Sequence, residues 1–395
     1  MTPVELADNV YWVGAVDWNV RDFHGYETRR GTTYNAYLIT DDNRVLVDTV
    51  KYPFKTILAE NIQEIVSLED LDYVIVNHVE MDHSSSLRYI TQHASNATVV
   101  SSRRGKDGLT KYYGENDWNF QIVKTGDELK LGSRTLQFVE APMLHWPDSM
   151  FTYVKEDRIL MPNDAFGQHL ATSQRFDDEV DQNVLMDEAA KYYANILMPY
   201  ATLIIRKIEE VTKLGVEPEV IAPSHGVIWR SNPGKIVDSY LGWSRGKAGN
   251  KAVIVYDTMW RSTERMAYAI SDGITRHGIE VRLFQMRRSD FSEVMKEILD
   301  AKAVIVGSPT LNGSMFPTIS AFLSYAAGLR PKDKIWASFG SYGWGGGAVR
   351  AINNRLKESK FDVLEPSLQI QYAPTHEEQQ KCIEFGGKIA ERMMS

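Results

Sequence analysis

Cysteine is almost absent from this chain. Its 395 residues include one, Cys382, so no intrachain disulfide framework and no cysteine-ligated zinc or iron–sulfur site can form within it. Apolar runs long enough to cross a bilayer are also missing. The formal net charge is −8 and no basic run stands out, which argues against nucleic-acid or anionic-membrane binding. The first residues, Met1-Thr2-Pro3-Val4-Glu5, lack the basic and apolar regions of a signal peptide. The expectation is a soluble, cytoplasmic protein with no nucleic-acid or membrane partner.

The length predicts two domains. Early in the chain, Val10–Gly14, Thr33–Ile39 and Val45–Thr49 read as a meander of short strands, with a turn signal at 41–43. Helical spacing follows over 53–68 through Phe54, Ile57, Leu58, Ile62 and Ile65. The apolar run Leu71–Asn77 predicts a buried strand, and the next helix signal is Ser84-Ser85-Ser86 followed by Leu87–Ile90. Between them stands His78-Val79-Glu80-Met81-Asp82-His83, which places two imidazoles and two carboxylates on one strand-to-helix loop. Such loops can aim several side chains at one point. Imidazoles with hard oxygen donors, and no thiolate, suit iron, zinc or manganese.

Three further ligand-type residues occupy strand ends or the loops after them. His145 lies in the Pro-bounded stretch 142–147, Asp164 ends the strand 158–164, and His225 follows the short strand 219–223. Taken singly, each is better read as a hydrogen-bonded structural residue. Taken as a set of seven, with four inside one hexapeptide, they predict a dinuclear metal site. Residues 183–212 read as two long helices. They contain Tyr193, which with His24 is a candidate proton or hydrogen-bond donor beside that site. Tyr193 adjoins Tyr192, and one of the two is expected in the core. Asp48 is expected as a structural or ligand-orienting carboxylate.

After Ser231–Gly234 and a helix over 236–243, the stretch Arg245–Asn250 is the best linker candidate, giving domains 1–248 and 249–395. Beyond it, strands at 252–256, 280–284, 303–307, 335–339 and 369–372 alternate with helices, which predicts a doubly wound parallel sheet. Three loops after strand ends carry the chemistry. Thr258, Met259, Trp260, Arg261, Ser262 and Thr263 open a helix where N–H groups and hydroxyls could hold a phosphate. A plain N-cap at Ser262 or Thr263 is the alternative. Ser308, Pro309, Thr310, Leu311, Asn312 and Gly313 follow the third strand. Ser341, Tyr342, Gly343, Trp344, Gly345 and Gly346 follow the fourth, and suit a flat cofactor that needs close backbone approach and a ring to stack on. No Gly-x-Gly-x-x-Gly opens this half, which disfavours a dinucleotide.

With its ligand spacing, the first half resembles the metallo-β-lactamase-like domain of flavodiiron proteins, and the second resembles flavodoxin. The fold implied is α/β: an αββα sandwich followed by a flavodoxin-like sheet. The resemblance implies one iron held by His78, Glu80 and His145, another by Asp82, His83 and His225, and Asp164 bridging this diiron centre. It implies FMN, with its phosphate at 258–263 and its ring between the 308–313 and 341–346 loops. Hydrolytic relatives usually carry His where this chain has Glu80, a harder donor that favours iron. The activity implied is reduction of O2 to water, of NO to N2O, or both. The expected donor is a separate rubredoxin, since the sequence holds no Cys-x-x-Cys, with a deazaflavin as the alternative. A head-to-tail homodimer, or a dimer of such dimers, is implied as well. A zinc hydrolase with an attached flavin domain and a plain electron carrier are the rival classes.

Overall fold

Side-chain alternation explains why the first sheet is covered on both faces. Val45 and Val47 join one apolar core while Leu46 joins another; Ile75 is flanked by Val74 and Val76 in the same way. A two-residue period does this because successive side chains leave opposite faces of a strand. The computed structural model describes residues 2–114 and 117–395. Met1 and residues 115–116, all inside the expected first domain, lie outside the described residues.

That sheet has seven strands in the order Val4–Ala7, Val10–Trp12, Tyr37–Thr40, Arg44–Val47, Tyr73–Ile75, Thr98–Ser101 and Phe120–Ile122. The first four are antiparallel, and pairing is parallel from Arg44–Val47 onward. A second sheet of five orders Glu128–Lys130, Thr135–Glu140, Met150–Val154, Ile159–Met161 and Val220–Ile221. Val45, Val47, Ile75 and Val100 meet Leu136, Phe138, Met150 and Ile159 between the two sheets. On the other face of the first sheet, Leu46, Val74 and Val99 pack with Leu58, Ile62, Leu87, Ile90 and Leu109 from helices. Helix Ala201–Lys213 reaches the second sheet, where Lys207 Nζ donates to the Glu140 carbonyl at 2.7 Å. These layers are the expected αββα sandwich.

The second sheet system is wholly parallel. Along the chain its strands are Lys251–Tyr256, Glu280–Gln285, Ala303–Pro309, Ile335–Tyr342 and a split fifth, Asp362–Val363 with Leu368–Gln371. In space they run second, first, third, fourth, fifth, the flavodoxin-like order. Helices Ser262–Thr275 and His376–Met394 cross through two glycines. A Cβ at Gly273 would collide with the Ile383 carbonyl oxygen, and one at Gly386 with that of Ile270.

Contacts group the chain into two units, one running to Tyr193 and including Tyr200–Leu241, the other comprising Ala194–Pro199 and Gly242–Ser395. The second unit thus begins before the 248/249 boundary read from the Gly- and Lys-rich stretch. Lys247 N–H returns to the Gly242 carbonyl and closes helix Pro233–Ser244 instead of forming a free linker. Residues 194–199 join the second unit through Asn195, which donates to the Ser292 carbonyl at 3.1 Å and accepts from the Tyr325 hydroxyl at 2.8 Å. The two helices expected over 183–212 are Gln182–Tyr192 and Ala201–Lys213, separated by a π turn at Tyr193–Leu197 and a 3-10 turn that includes Pro199.

Gly273→Ala should force the two helices apart and cost about 1–3 kcal/mol of second-unit stability. Denaturant unfolding followed by signals from each unit would check this, with the first unit's transition expected to stay in place.

Candidate metal centre and cofactor cradle

The hexapeptide folds more tightly than its sequence suggests. Helix starts at Met81, not at the serines, because Glu80 takes the N-cap position and its carbonyl accepts from His83 and Ser84 N–H. Asp82 and His83 therefore sit in a first helical turn, where a carboxylate is favoured by the helix dipole. His83 is pinned by two bonds to its carbonyl, from Thr49 N–H at 2.9 Å and the Thr49 hydroxyl at 2.5 Å. His78 follows strand Tyr73–Ile75. Its Nδ1 lies 2.9 Å from Asp148 Oδ2, which also accepts from Val79 N–H at 2.8 Å, so Nε2 is left for the cluster. His225 donates Nδ1–H to the Thr33 carbonyl at 2.6 Å, with the same effect. His24 is delivered by a two-residue hairpin between Asp22–Phe23 and Tyr26–Glu27. His24 and Gly25 both have positive φ, 54° and 77°, as a type I′ turn requires.

Asp164 joins the parts. On one side, His78 Nε2 and His145 Nε2 lie 3.7 and 3.5 Å from Asp164 Oδ2, and 3.4 and 3.5 Å from Glu80 Oε2. On the other, His83 Nε2 and His225 Nε2 lie 3.2 and 3.4 Å from Asp164 Oδ1, and each 3.1 Å from Asp82 Oδ2. Metal–ligand bonds of about 2.0–2.2 Å place neighbouring donors ~3.0 Å apart in an octahedron and ~3.4 Å in a tetrahedron. The separations fit two metals. Orientation fits them too: both oxygens of Asp82, Asp164 Oδ2, His145 Nε2 and His225 Nε2 are buried without a hydrogen bond, despite their mutual closeness. They are close to each other and misaligned as donor–acceptor pairs, as atoms converging on a shared cation would be.

The electrostatics agree. Burial alone would raise the Asp164 carboxyl, but the charge of His83 and the approach of His145 hold it well below the usual range. Glu80 is lowered against burial by His145, His24 and His78, and Asp82 by His83 and His225. Reciprocally, burial would lower His83, yet Asp82 and Asp164 push it up to about 9. His78 rises through Asp148 and Glu80, and His145 through Asp164 and Glu80, also against burial. Asp48 is raised, chiefly by burial. Its carboxylate accepts from Asn77 N–H at 2.8 Å and from the Asn77 and Asn163 amides at 3.2 and 3.3 Å, so it braces the loops and does not line the cluster.

In the second unit, the 258–263 loop follows the first strand. Helix Ser262–Thr275 starts without a side-chain cap: Arg261 holds the N-cap position at φ 67°, and neither Ser262 nor Thr263 serves as one. The first-turn N–H groups are therefore left for an anion. The Thr258 hydroxyl is buried and makes no hydrogen bond, which also fits an absent acceptor. Asp257 braces this loop, accepting from Thr258 N–H at 2.8 Å, Arg287 Nε at 2.8 Å and the Thr318 hydroxyl at 2.6 Å. Ser308 and Pro309 prove to be strand residues, as do Ser341 and Tyr342. The Ser308 hydroxyl accepts from Phe316 N–H at 2.8 Å and is committed to the scaffold. The loops after the third and fourth strands approach backbone to backbone, since a Cβ on Gly347 would strike the Gly313 carbonyl. Trp260 and Trp344 are 87% and 96% exposed on these loops.

Comparison with known proteins agrees with both halves. A model of the ODP family beta lactamase matches residues 32–226, and a flavodoxin model matches 254–386. The rubredoxin oxygen:oxidoreductase of Desulfovibrio gigas superposes with a TM-score of 0.97 at 38% identity, over 100% of this chain and 99% of that one. The flavodiiron protein from Giardia intestinalis gives 0.97 and 38%, over 100% and 97%. A nitric oxide reductase of Moorella thermoacetica is 53% identical over 99% of each chain. The chain belongs to the flavodiiron protein family. A lactamase-like domain followed by a flavodoxin domain, as expected from the sequence, is the architecture of this flavodiiron chain.

All seven expected ligand residues of the flavodiiron chain meet in one cluster, and His24 joins its edge with Nε2 3.5 Å from Glu80 Oε1. Tyr193 does not supply the hydroxyl on Asp164. Tyr192 does, at 3.0 Å from Oδ1, while Tyr193 packs edge-on against Tyr240 at 5.1 Å. Asp148 and His169 were also missed. Asp148 stands three residues after His145 in a loop with no periodicity to orient it. His169 follows Gly167-Gln168 with no motif around it.

Raised histidines make the metal-free cluster a proton store. His83's contribution to metal-free stability is present below about 6.5 and lost as pH rises through about 9. Metal binding must expel these protons, so loading should release protons near neutral pH and apparent affinity should weaken as pH falls below about 9. Calorimetry of ferrous or zinc ion binding in buffers of different ionisation enthalpy would check both.

Proposed function

We propose that this protein is a flavodiiron oxidoreductase that reduces O2 to water, NO to N2O, or both. In this reading a diiron centre is held by His78, Glu80 and His145 on one side and Asp82, His83 and His225 on the other, with Asp164 between them. FMN rests on the 258–263, 308–313 and 341–346 loops and takes electrons from an external donor, a rubredoxin or a deazaflavin. When bound, the irons and flavin supply the electron storage and small-molecule activation that protein side chains lack. The observation that carries the reading is the division of Asp164, one oxygen facing each triad.

The protein's own residues do the rest. Glu80 contributes a hard anionic donor that favours iron over zinc. Asp148 and the Thr33 carbonyl orient His78 and His225 through Nδ1 and fix which ring nitrogen faces the metals. Tyr192 donates its hydroxyl to Asp164 and stays protonated, because burial and the Asp164 charge push its pKa well above the usual value. His24, at the hairpin tip, is the candidate proton donor at the cluster edge. Around the flavin, uncapped helix N–H groups and the Thr258 hydroxyl would hold the phosphate. A head-to-tail homodimer would cover Trp260 and Trp344, whose exposure supports such a contact.

Anaerobic stopped-flow mixing of the fully reduced protein with O2 and with NO tests the reading. Rapid reoxidation by at least one gas is expected, and slow reoxidation by both would sink it. Glu80→Ala or His145→Ala should lower turnover by about 100-fold while FMN content stays constant. Metal analysis finding zinc without iron would favour a hydrolase instead.

A further inference from the structure

His169 is buried beside the cluster, at 2% exposure, and takes no part in holding it. Its ring centroid lies 5.0 Å from those of His225 and Tyr192 and 5.3 Å from that of His24. Its Nδ1 is 2.8 Å from the Thr32 hydroxyl, which is also 3.4 Å from His225 Nδ1 and 3.3 Å from the Thr33 carbonyl. These distances favour one tautomer for each ring. The Thr33 carbonyl only accepts, so His225 must donate to it across 2.6 Å. Of the two acceptors in reach of the Thr32 hydroxyl, the Thr33 carbonyl at 3.3 Å is the more distant and is already engaged by His225, which favours His169 Nδ1 at 2.8 Å. An imidazole that accepts at Nδ1 carries its proton on Nε2.

That leaves an Nε2–H that is buried and has no hydrogen-bond partner among the described residues. Leaving a buried donor unpaired is unfavourable. Both ring nitrogens of the adjacent His24 are in the same condition, as are both oxygens of Asp82. Unpaired buried polar atoms of this kind are commonly satisfied by a small polar guest.

We propose that His169, held as its Nε2–H tautomer by Thr32, donates a hydrogen bond to the oxygen atom of the small substrate, or to the water that precedes it, beside the two triads. This deepens the reading of the site as an O2 or NO reductase and rests on it. A neutral donor at that place stabilises the oxygen end of a diatomic as it gains electron density during reduction, without adding a charge to the cluster. Thr32 is a positioning residue in this arrangement, acting through the tautomer of His169.

The test uses the anaerobically reduced holoprotein with NO as the probe, reading NO affinity and the N–O stretching frequency by infrared spectroscopy. A donor to the NO oxygen weakens the N–O bond, so its loss raises the stretch. His169→Phe keeps a buried ring and removes the donor. It should weaken NO binding about tenfold, the size of one neutral hydrogen bond, and raise the stretch. His169→Gln, which offers an N–H near the original place, should return both toward the parent values. Thr32→Val should move the stretch in the same direction as His169→Phe, with iron and FMN content retained. A stretch and affinity unchanged in both His169→Phe and Thr32→Val overturns the assignment. If His169→Phe loses its metals, an unchanged stretch in Thr32→Val overturns it alone. Absence of any NO band in the parent protein would count against the reductase reading, not against the role of His169.

Discussion

The first unit depends on one fully buried carboxylate serving two neighbours. Asp164 faces His78 and His145 with Oδ2, at 3.7 and 3.5 Å, and His83 and His225 with Oδ1, at 3.2 and 3.4 Å, an arrangement that requires all four rings to be held in place. Glu80, Asp82 and Asp164 cannot stay ionised in a dry interior without compensating positive charge. Protons on the histidines can provide it, and the raised His78, His83 and His145 show the cluster drawing them in. Cations provide it better, because they also satisfy the carboxylate and imidazole atoms that have no hydrogen bond. Fixed geometry and fixed charge are therefore one requirement.

The scaffold meets that requirement at strand ends. The residues of the cluster come from the hexapeptide after Tyr73–Ile75, the loop after Thr135–Glu140, the turn after Ile159–Met161 and the segment after Val220–Ile221. Strands cannot bend sharply by themselves, so the chain uses unusual backbone there. His24, Asp48, Met143, Asn163 and Phe166 all adopt positive φ. Such residues typically cost about 1–3 kcal/mol each. Bonds like those from Asn77 and Asn163 to Asp48 offset the cost by over-determining the loops. The inter-sheet core around Val47, Ile75 and Phe138 gives those loops a stiff base.

How much of this could be read from sequence follows from the period of each signal. Strand alternation and strand–helix alternation are periodic over many residues, so both sheets were legible. The residues that meet in the cluster were legible because their types are rare in combination and four of them lie in one hexapeptide. Tyr192 and Tyr193 were not separable: neighbours on a helix differ by about 100°, and the π turn beginning at Tyr193 disturbs even that phase. Asp148 and His169 act across 70 and 137 residues of sequence, on His78 and Thr32, and neither separation leaves a local trace. The 194–199 segment crosses to the second unit for the same reason, through Ser292 and Tyr325.

Two neutral groups adjoin this charged cluster, and their chemistry is opposite in origin but equal in effect. Burial pushes the Tyr192 hydroxyl well above its ordinary pKa, keeping its proton on, and pushes His169 well below its own, keeping a second proton off. Each is therefore a hydrogen-bond donor that carries no charge at physiological pH. Any cationic side chain on that side would compete for Asp164, and any anion would add to a crowded set of carboxylates. Neutral donors avoid both conflicts and still offer polarity to a neutral diatomic. On this argument the apolar rings of Phe23 and Tyr26, packed 5.0 and 5.6 Å from His169, matter as much as the polar atoms. They maintain the burial that keeps the donor neutral.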